Sequence, residues 1–351
     1  MRPMLKPALR RLWRDAATVQ LGVDPERAVV LSGIDGPAAT VLGLLDGSRD
    51  WAGVLAGAAA AGVQPESAAA LLDLLAGAGA LDDGARNPGL VAPPLARAER
   101  DRLAPDLAAV SLVRPHPGAA VGIFDRRRAA AVWVVGGGRI GVPLATLLAA
   151  SGVGHVGVET TGPVAAADTV PGGWQLADVG ASASEAARAA VRRIAPSTGY
   201  GPVPAGRRPD VVVLAGPAAG DPGRRLQLLQ AGLPHLAATV REVTGVVGPL
   251  VLPGQTACLR CLDLNRADRD AAWPLLSAQL AGDPADGVAA GDTVLTAATA
   301  ALAAGQVLGL LDGDRPATVN GTLELRLRDW RLRRRGWSAH PACGCSWRQT
   351  G

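Results

Sequence analysis

Ala130-Ala-Val-Trp-Val-Val-Gly-Gly-Gly-Arg-Ile-Gly141 is the most informative stretch of this chain, because an apolar run leads directly into a glycine-rich turn. Such a run is typical of a strand buried on both faces of a parallel sheet. An Ala/Leu-rich helix to Ala150 and a second strand, His155 to Val158, complete a βαβ unit. A helix from Ser184 to Ile194 and a strand from Asp210 to Leu214 continue the alternation. The sequence therefore predicts an α/β fold with a doubly wound, Rossmann-like sheet.

The turn matches the G-x-G-x-x-G pattern with Gly136, Gly138 and Gly141. Glycines at these positions let a phosphate approach backbone N–H groups at a helix start, although they also permit close packing of helix on strand. Arg139 lies inside the turn, where it either supplies a cation or narrows the phosphate cradle. Glu159 follows the second strand, where a dinucleotide site carries its ribose-binding acid, or it is a solvated charge. These five residues form a candidate nucleotide site, and nicotinamide binding is an alternative ligand for it.

The four cysteines occur as two close pairs, Cys258-Leu-Arg-Cys261 and Cys343-Gly-Cys345. Two thiolate pairs that are distant in sequence suit a tetrahedral structural zinc ion, which leaves no open position for catalysis. Redox thiols or an empty site are the alternatives. His340 is either a substitute ligand or a cap for the turn before Pro341.

Residues 1–85 predict a separate winged-helix-like module. Apolar runs on either side of Asp24-Pro25 indicate a β-hairpin. Val19, Leu21 and Val23 would line a hairpin edge that can accept an added peptide strand, or the hairpin simply docks on the α/β domain. Three helices follow, each with a polar or proline start: Pro37 to Leu45, Trp51 to Ala61 and Pro65 to Ala78.

The remaining chain divides into a linker and the main domain. Residues 86–129 contain repeated prolines, which predict a linker with one helix around Ala96 to Leu103. Residues 130–351 are expected to form the Rossmann-like domain with its four-cysteine zinc site. The apolar run from Val294 to Leu311 is close to the length of a membrane span, but its threonines and alanines favour a buried domain helix. No secretory signal is recognised, so a cytoplasmic protein without a membrane partner is expected.

Charge gives little support for nucleic-acid binding. The formal net charge is +4, and Lys6 is the only lysine. The basic run from Arg326 to Arg335 is explained by a solvated edge strand, with nucleic-acid contact as the alternative. The third helix of the N-terminal module carries only the acids Glu66 and Asp73, which is unsuited to a helix that faces phosphates. Nucleic acid is therefore not an expected partner.

Together these motifs resemble the ThiF/MoeB superfamily, the bacterial relatives of ubiquitin-activating enzymes. The segment from Val132 to Gly154 looks like that family's strand, glycine turn and helix, and Asp178-Val-Gly180 and Ala231-Gly-Leu-Pro234 match later elements. The four cysteines fall where the family has its zinc ligands. Residues 1–85 resemble the PqqD-like module of ThiF-like proteins that bind precursor peptides during the biosynthesis of thiazole- and oxazole-modified peptides.

The departures from this family concern ATP and magnesium. Thr160 stands where the resemblance implies an aspartate, and no counterpart of an expected arginine lies between Pro163 and Trp174. No lysine follows Asp178-Val-Gly180, and Ala215-Gly-Pro-Ala-Ala219 replaces the element that carries the magnesium-binding aspartate. Without these charges, stabilisation of the reacting α-phosphate is severely weakened. We therefore assign no catalytic residue and expect no adenylating activity, so ATP and magnesium are doubtful ligands.

The sequence thus favours a noncatalytic ThiF-like scaffold. It would bind a precursor or partner peptide for a separate modifying enzyme, such as a YcaO-type cyclodehydratase, and the family's dimers suggest a homodimer. The alternative is an ATP-dependent adenylyltransferase that acts on a protein or peptide carboxylate through the glycine turn. A DNA-binding regulator is a third hypothesis.

Overall fold

The structure is a computed structural model that describes residues 1–85, 95–280 and 290–345. The chain divides into two compact units, Met1–Asp125 and Arg126–Gly351. The domain boundaries expected from the sequence, at 85 and 129, remain predictions.

The first unit contains two small antiparallel sheets. One pairs β1 with β5, and the other has the order β2-β3-β4. The expected hairpin around Asp24-Pro25 is confirmed, because β3 and β4 pair antiparallel. The five strands are β1 (Pro3–Leu5), β2 (Arg11–Asp15), β3 (Thr18–Leu21), β4 (Val29–Ser32) and β5 (Leu81–Asp83).

Three helices lie close to their predicted positions in this unit: α1 (Gly36–Leu44), α2 (Trp51–Ala60) and α3 (Pro65–Gly77). Side chains explain where they begin. Asp35 accepts a hydrogen bond from the Ala38 amide, Asp50 accepts one from the Gly53 amide, and Pro65 occupies the first turn of α3. Three helices with small sheets agree with the expected module, and its description as a winged helix remains a prediction.

For residues 86–129 the sequence predicts a Pro-rich linker with one helix around Ala96 to Leu103, and the described part of this segment contains more helix than that. Two helices, α4 (Arg97–Val113) and α5 (Ala119–Ala129), occupy most of it. Pro105 lies inside α4. A proline there removes one backbone hydrogen bond, but good helix formers surround it, and Leu103 packs with Ile123 and Phe124. Packing therefore outweighs the local signal that indicated irregular structure. Residues 86–94 lie outside the described residues.

The second unit is built on an eight-stranded sheet with the order β13-β12-β11-β10-β9-β6-β7-β8. Strands β8, β7, β6, β9 and β10 are parallel, and β11, β12 and β13 continue the sheet antiparallel. The predicted α/β sheet is confirmed, with the antiparallel extension added. Its strands are β6 (Ala131–Val135), β7 (His155–Glu159), β8 (Gly199–Tyr200), β9 (Val211–Ala215), β10 (His235–Arg241), β11 (Thr244–Val251), β12 (Gly321–Arg326) and β13 (Leu332–Gly336).

Six helices of this unit are described. They are α6 (Gly138–Ala150), α7 (Ala183–Ile194), α8 (Pro222–Gln230), α9 (Leu259–Ala267), α10 (Trp273–Leu280) and α11 (Thr293–Leu311). Helix α11 is long and apolar enough to cross a membrane by length and composition. It packs against α6, β10 and β11 and buries Leu295, Thr299, Ala303 and Val307. In this fold it is a core helix of the sheet.

Candidate functional site

The glycine turn lies at the carboxyl end of β6, where ligands of open α/β sheets bind. Gly136 and Gly138 have φ angles of +98° and +60°. A Cβ atom on Gly136 would overlap the Ala215 carbonyl oxygen, and one on Gly141 would overlap the Gly136 carbonyl oxygen. These glycines are therefore required by the packing of the turn itself, whether or not a nucleotide binds.

Side chains fill one side of the turn. A Cβ atom on Gly137 would lie 2.7 Å from both Thr160 Oγ1 and Trp174 Cη2. The Trp174 ring is 3% exposed. Thr160 and Trp174 come from the region in which the family resemblance implies charged residues. An apolar ring and a hydroxyl thus pack against the backbone of the turn at this point.

Arg139 is turned toward the protein. Its Nη1 donates to the carbonyl oxygens of Ala167 and Thr169 at 2.8 and 3.3 Å, and its Nη2 donates to Thr293 Oγ1 at 2.6 Å. The guanidinium therefore links the turn to the following loop and to the start of α11. This arrangement agrees better with a structural role than with a cation held for phosphate.

Asp168 is a residue near the turn that sequence reasoning missed. Its Oδ1 lies 3.5 Å from the position that a Cβ atom on Gly138 would occupy. Gly138 is the glycine of the pattern that permits close approach of a phosphate. A carboxylate oxygen therefore lies beside the glycine at which a phosphate would approach the backbone. No sequence motif marked Asp168, because its proximity depends on how the loop after β7 folds back.

Glu159 is the last residue of β7 and is already paired. Its carboxylate forms an ion pair with Arg224 of α8 and accepts a hydrogen bond from Trp133 Nε1 at 3.1 Å. The Trp133 ring occupies the space in which a Cβ atom on Gly157 would lie. Glu159 is therefore neither a free ribose acid nor an unpaired surface charge. Sequence reasoning did not find Arg224 or Trp133 as its partners.

The four cysteines meet in one cluster, as the sequence predicted. All four sulfur atoms lie within 4.8 Å of one another, with Cys258–Cys261, Cys258–Cys343 and Cys261–Cys345 separations of 3.8, 3.5 and 3.3 Å. Tetrahedral thiolates at ~2.3 Å from zinc lie about 3.8 Å apart, so the spacing fits a metal ion and is compatible with zinc. Cys258 and Cys261 begin α9, and Gly344, with φ +73°, forms the turn that carries the second pair.

The sulfur atoms also influence one another's protonation. The hydrogen bond from the Cys258 thiol lowers the pKa of Cys261 to about 4, and the same contact together with burial raises the pKa of Cys258. Burial raises the pKa of Cys345 to about 11. At least one sulfur therefore favours the thiolate form, which is the form that binds metal ions.

His340 belongs to the turn, and its ring nitrogens have partners other than the four sulfur atoms. Its Nε2 lies 2.9 Å from Asp268 Oδ2, and its Nδ1 accepts a hydrogen bond from the Ala342 amide at 3.1 Å. Both ring nitrogens are thus engaged away from the sulfur atoms. The sequence-based alternative in which His340 caps the turn agrees with these contacts.

The expected peptide-binding edge at Val19, Leu21 and Val23 is wrong in its placement. Strand β3 pairs with β2 on one side and β4 on the other, so it is the central strand of its sheet. Val19 and Leu21 are fully buried, whereas Val23 is 73% exposed in the turn after β3. The charged residues of β2 obscure its strand pattern in the sequence. The edges of this sheet are β2 and β4.

Comparisons with known proteins identify the fold. Residues 119–206 match the sequence model of the ThiF family. The crystal structure of E. coli MccB with ATP aligns over 99% of this chain and 100% of its own, with 15% identity and a TM-score of 0.71. The microcin C7 biosynthetic enzyme MccB in complex with N-formylated MccA aligns over the same shares, with 15% identity and a TM-score of 0.69. PaaA aligns over 76% of this chain and 91% of its own, with 18% identity and a TM-score of 0.60. No curated protein gives a significant sequence match.

Proposed function

We propose that this chain, which belongs to the ThiF/MoeB superfamily, is a peptide-binding member without adenylating activity. It would hold a precursor or partner peptide for a separate modifying enzyme. The single observation that supports the absence of adenylation is the negative charge of the Asp168 carboxylate beside Gly138. Beyond the adjoining residues and the backbone of α6, the Asp168 carboxylate oxygen is the only atom among the described residues within 4 Å of that Cβ position.

The charges near the turn do not suit a triphosphate. Adenylation requires cations and bound magnesium to stabilise charge at the α-phosphate. Here Arg139 donates to backbone carbonyls and to Thr293, and Glu159 is paired with Arg224. A carboxylate at the phosphate position repels ATP unless a cation lies between them. The contacts of Arg139 and Glu159 support a protein that retains the glycine turn while the charged side chains near it bind other parts of the same chain.

Adenylation of a peptide carboxylate is the second candidate, because E. coli MccB has been solved both with ATP and with MccA. A specific observation also favours it: α6 begins in the glycine turn without a side-chain cap, which leaves its first amides available to an anion. In that case Asp168 would act as a magnesium ligand. The two candidates therefore assign opposite roles to one carboxylate.

Calorimetry with Mg·ATP separates the candidates. For the wild type we expect no detectable binding at ATP concentrations up to ~1 mM, which corresponds to a dissociation constant above ~1 mM. In Asp168→Asn, removal of the repulsion should leave ATP binding equal or stronger. Glu185→Gln, in the exposed first turn of α7, is the charge-matched control. Micromolar binding by the wild type that is lost only in Asp168→Asn, with pyrophosphate exchange in the presence of peptide, would establish adenylation instead.

We place peptide capture on β4, the edge strand from Val29 to Ser32. The other edge, β2, contains charged residues and a register shift between Trp13 and Asp15, both of which protect an edge from strand addition. Strand β4 carries no charge, and Val30 is 46% exposed. An extended peptide can pair with such an edge through its backbone and place side chains against the valines.

Synthetic peptides encoded by short reading frames beside this protein's gene are suitable probes. In fluorescence anisotropy with the full chain, Val30→Asp should weaken binding about tenfold or more, because a desolvated charge would face the added strand. Trp13→Asp, at the protected edge, should leave binding unchanged. A greater loss with Trp13→Asp would move the site to β2, and binding insensitive to both would refute capture by this sheet.

The remaining assignments rest on the superfamily resemblance and on the donor set. We infer that the metal in the four-cysteine cluster is structural zinc, since four thiolates with this spacing suit it. We also infer a cytoplasmic protein, a homodimer and a YcaO-type partner enzyme. Elemental analysis, light scattering and co-purification with the partner test the metal, the dimer and the YcaO enzyme in turn.

A further inference from the structure

The antiparallel end of the large sheet has two chemically different faces. Alternate residues of β11 and β12 point to α11: a Cβ atom on Gly245 would meet Thr299, and Leu323 is buried in the same core. The opposite face carries the intervening residues. Cross-strand register aligns Glu324 with Val246 and Arg333, and Thr322 with Arg335. We call this second surface, with Arg241 at the end of β10 and Arg266 of α9, the arginine face.

Two tryptophans organise the arginine face. The Arg266 guanidinium lies 4.7 Å from the Trp273 ring centroid and 5.4 Å from the Trp337 ring centroid. Arg335 lies 5.2 Å from the Trp337 ring. Trp337 is 6% exposed, and its Nε1 donates to Thr322 Oγ1 at 3.0 Å. Stacking on rigid indole rings therefore holds these guanidinium groups in place.

The carboxylates of this region are fewer than the guanidinium groups. Asp263 accepts from Arg225 Nη1 at 2.8 Å and from Trp273 Nε1 at 3.2 Å, and it lies 3.6 Å from Arg266 Nη1. Glu324, on the sheet, and Glu242, in the adjoining turn, attract the Arg241 guanidinium electrostatically. Besides Arg326 and Arg333, which the strand register places on the same face, four guanidinium groups, from Arg225, Arg241, Arg266 and Arg335, thus face three carboxylates.

The excess charge is concentrated on two arginines. Among residues 1–85, 95–280 and 290–345, the guanidinium groups of Arg241 and Arg335 form no hydrogen bond or salt bridge, and both residues are exposed. Burial lowers the pKa of Arg266 to about 10, and the nearby charge of Arg241 contributes to that shift. The arginine face therefore combines a half-buried, unfavourably crowded cation, Arg266, with two guanidinium groups, those of Arg241 and Arg335, that form no hydrogen bond or salt bridge among the described residues.

We propose that the arginine face binds an acidic segment of a peptide or protein partner, with carboxylate side chains that pair with Arg241 and Arg335. A planar guanidinium can bind a carboxylate through two parallel hydrogen bonds, and the stacked arginines are already oriented for it. An incoming carboxylate also relieves the repulsion around Arg266. This site goes beyond the proposed function, because peptide capture on β4 belongs to the other unit of the chain.

The same features argue against nucleic acid as the occupant. Asp263, Glu324 and Glu242 lie among the arginines and would repel a backbone that carries one charge per nucleotide. Binding of single strands also uses open aromatic faces on which bases stack. Here Trp337 is buried, and both indole rings are in contact with guanidinium groups. A peptide with spaced carboxylates avoids both difficulties.

Fluorescence anisotropy with the full chain tests this proposal. The probe is a fluorescein-labelled peptide of alternating glycine and glutamate, and its glutamine counterpart is the uncharged control. The glutamate probe should bind more tightly, and its affinity should fall with added salt. The double variant Arg241→Gln/Arg335→Gln should weaken binding about tenfold, since two exposed charge pairs are lost. Arg192→Gln/Arg193→Gln, on the exposed end of α7, removes the same charge elsewhere and should have no effect.

Three results would overturn the proposal. They are equal binding of the two peptides, equal loss in the two double variants, or tighter binding of a thymidine dodecamer that depends on Arg241 and Arg335. Circular dichroism and metal content check that each variant is folded. Val30→Asp should retain binding of the glutamate probe, so failure of the β4 site and failure of this site give different results.

Discussion

Single residues in this protein are constrained more by packing than by the chemistry that their motif suggests. The glycine turn is the clearest case, because Gly136 and Gly141 are needed to bring the turn, β9 and α6 together. The same geometry would support a phosphate site, but it does not require one. Evidence for a nucleotide therefore has to come from charges near the turn rather than from its glycines.

Gly141→Ala should destabilise the protein by about 2–4 kcal/mol, because the new methyl group would overlap the Gly136 carbonyl oxygen. Gly305→Ala is a matched control on α11. Nothing lies within 4 Å of its Cβ position, so alanine should stabilise that helix by about 0.5–1 kcal/mol. Urea denaturation of both variants measures the difference. Equal stability of the two would show that the turn can make room for a methyl group.

Lys6 is a structural residue despite being the only lysine. It is 1% exposed, and its Nζ donates to the carbonyl oxygens of Ser111 and of Arg114, the latter at 2.7 Å. These carbonyls belong to the C-terminal end of α4, where a cation interacts favourably with the helix. The single lysine therefore ties the N-terminal strand to α4 and does not serve a phosphate site.

Lys6→Met should lower the free energy of unfolding by about 2–3 kcal/mol, since two buried carbonyls lose their donor. Lys6→Arg retains a donor and should lose less, although its larger head must be accommodated. Thermal and urea denaturation provide the measurement. A Lys6→Met variant as stable as the wild type would mean that water replaces the ammonium group.

Among the secondary-structure elements, the position of β3 within its sheet decides which strand of the first unit is open to an added peptide strand. The residue pattern of β3 correctly indicated a strand, but its role as an edge depended on whether β2 pairs with it. Strand β2, Arg11-Leu-Trp-Arg-Asp15, is charged and largely exposed, so it lacks the alternation that marks strands in a sequence. The proposed peptide site therefore lies on the edge strand β4 rather than on β3.

Helix α11 begins at a side-chain cap whose contribution can be measured. Asp292 accepts a hydrogen bond from the Leu295 amide at 2.9 Å. Asp292→Ala should cost about 1 kcal/mol of stability, because one first-turn amide loses its partner and a favourable charge is removed. Val294→Ala, at a 59% exposed position in the same turn, should change stability little. Similar losses in the two variants would exclude the cap as the cause.

Across the molecule as a whole, the metal cluster joins segments that are far apart in the chain. Cys258 and Cys261 precede the α10 region, and Cys343 and Cys345 lie near the end of the described residues. A metal ion bound by these four sulfur atoms would close a long loop and restrict the unfolded chain.

Removal of the metal with a strong chelator should lower the melting temperature, and readdition of zinc should restore it. Cys345→Ser should lose bound metal on dialysis. His340→Ala should keep about one ion per chain, because its ring nitrogens contact Asp268 and Ala342 rather than the cluster. Elemental analysis distinguishes these outcomes. Loss of metal in His340→Ala alone would make the histidine a ligand.

Features that depend on local pattern could be predicted from the sequence alone. Buried strands such as β6, the glycine turn, the helices with polar or proline starts and the two cysteine pairs all have signatures within a few residues of one another. The cysteines could be combined into one site from their number and spacing, since no fifth cysteine competes for a partner. The absence of any lysine other than Lys6 also indicated that the candidate nucleotide site has few cations to bind phosphate groups.

Which charges meet, by contrast, depends on the tertiary structure. Asp168 beside Gly138, Arg224 on Glu159 and the crowding of Arg241, Arg266 and Arg335 each join segments from different elements. The central position of β3 and the helices around Pro105 also depend on pairing and packing with distant residues. The physical reason is that electrostatic energy and strand pairing depend on separation in space. A sequence pattern reports separation along the chain, so these features emerge only after folding.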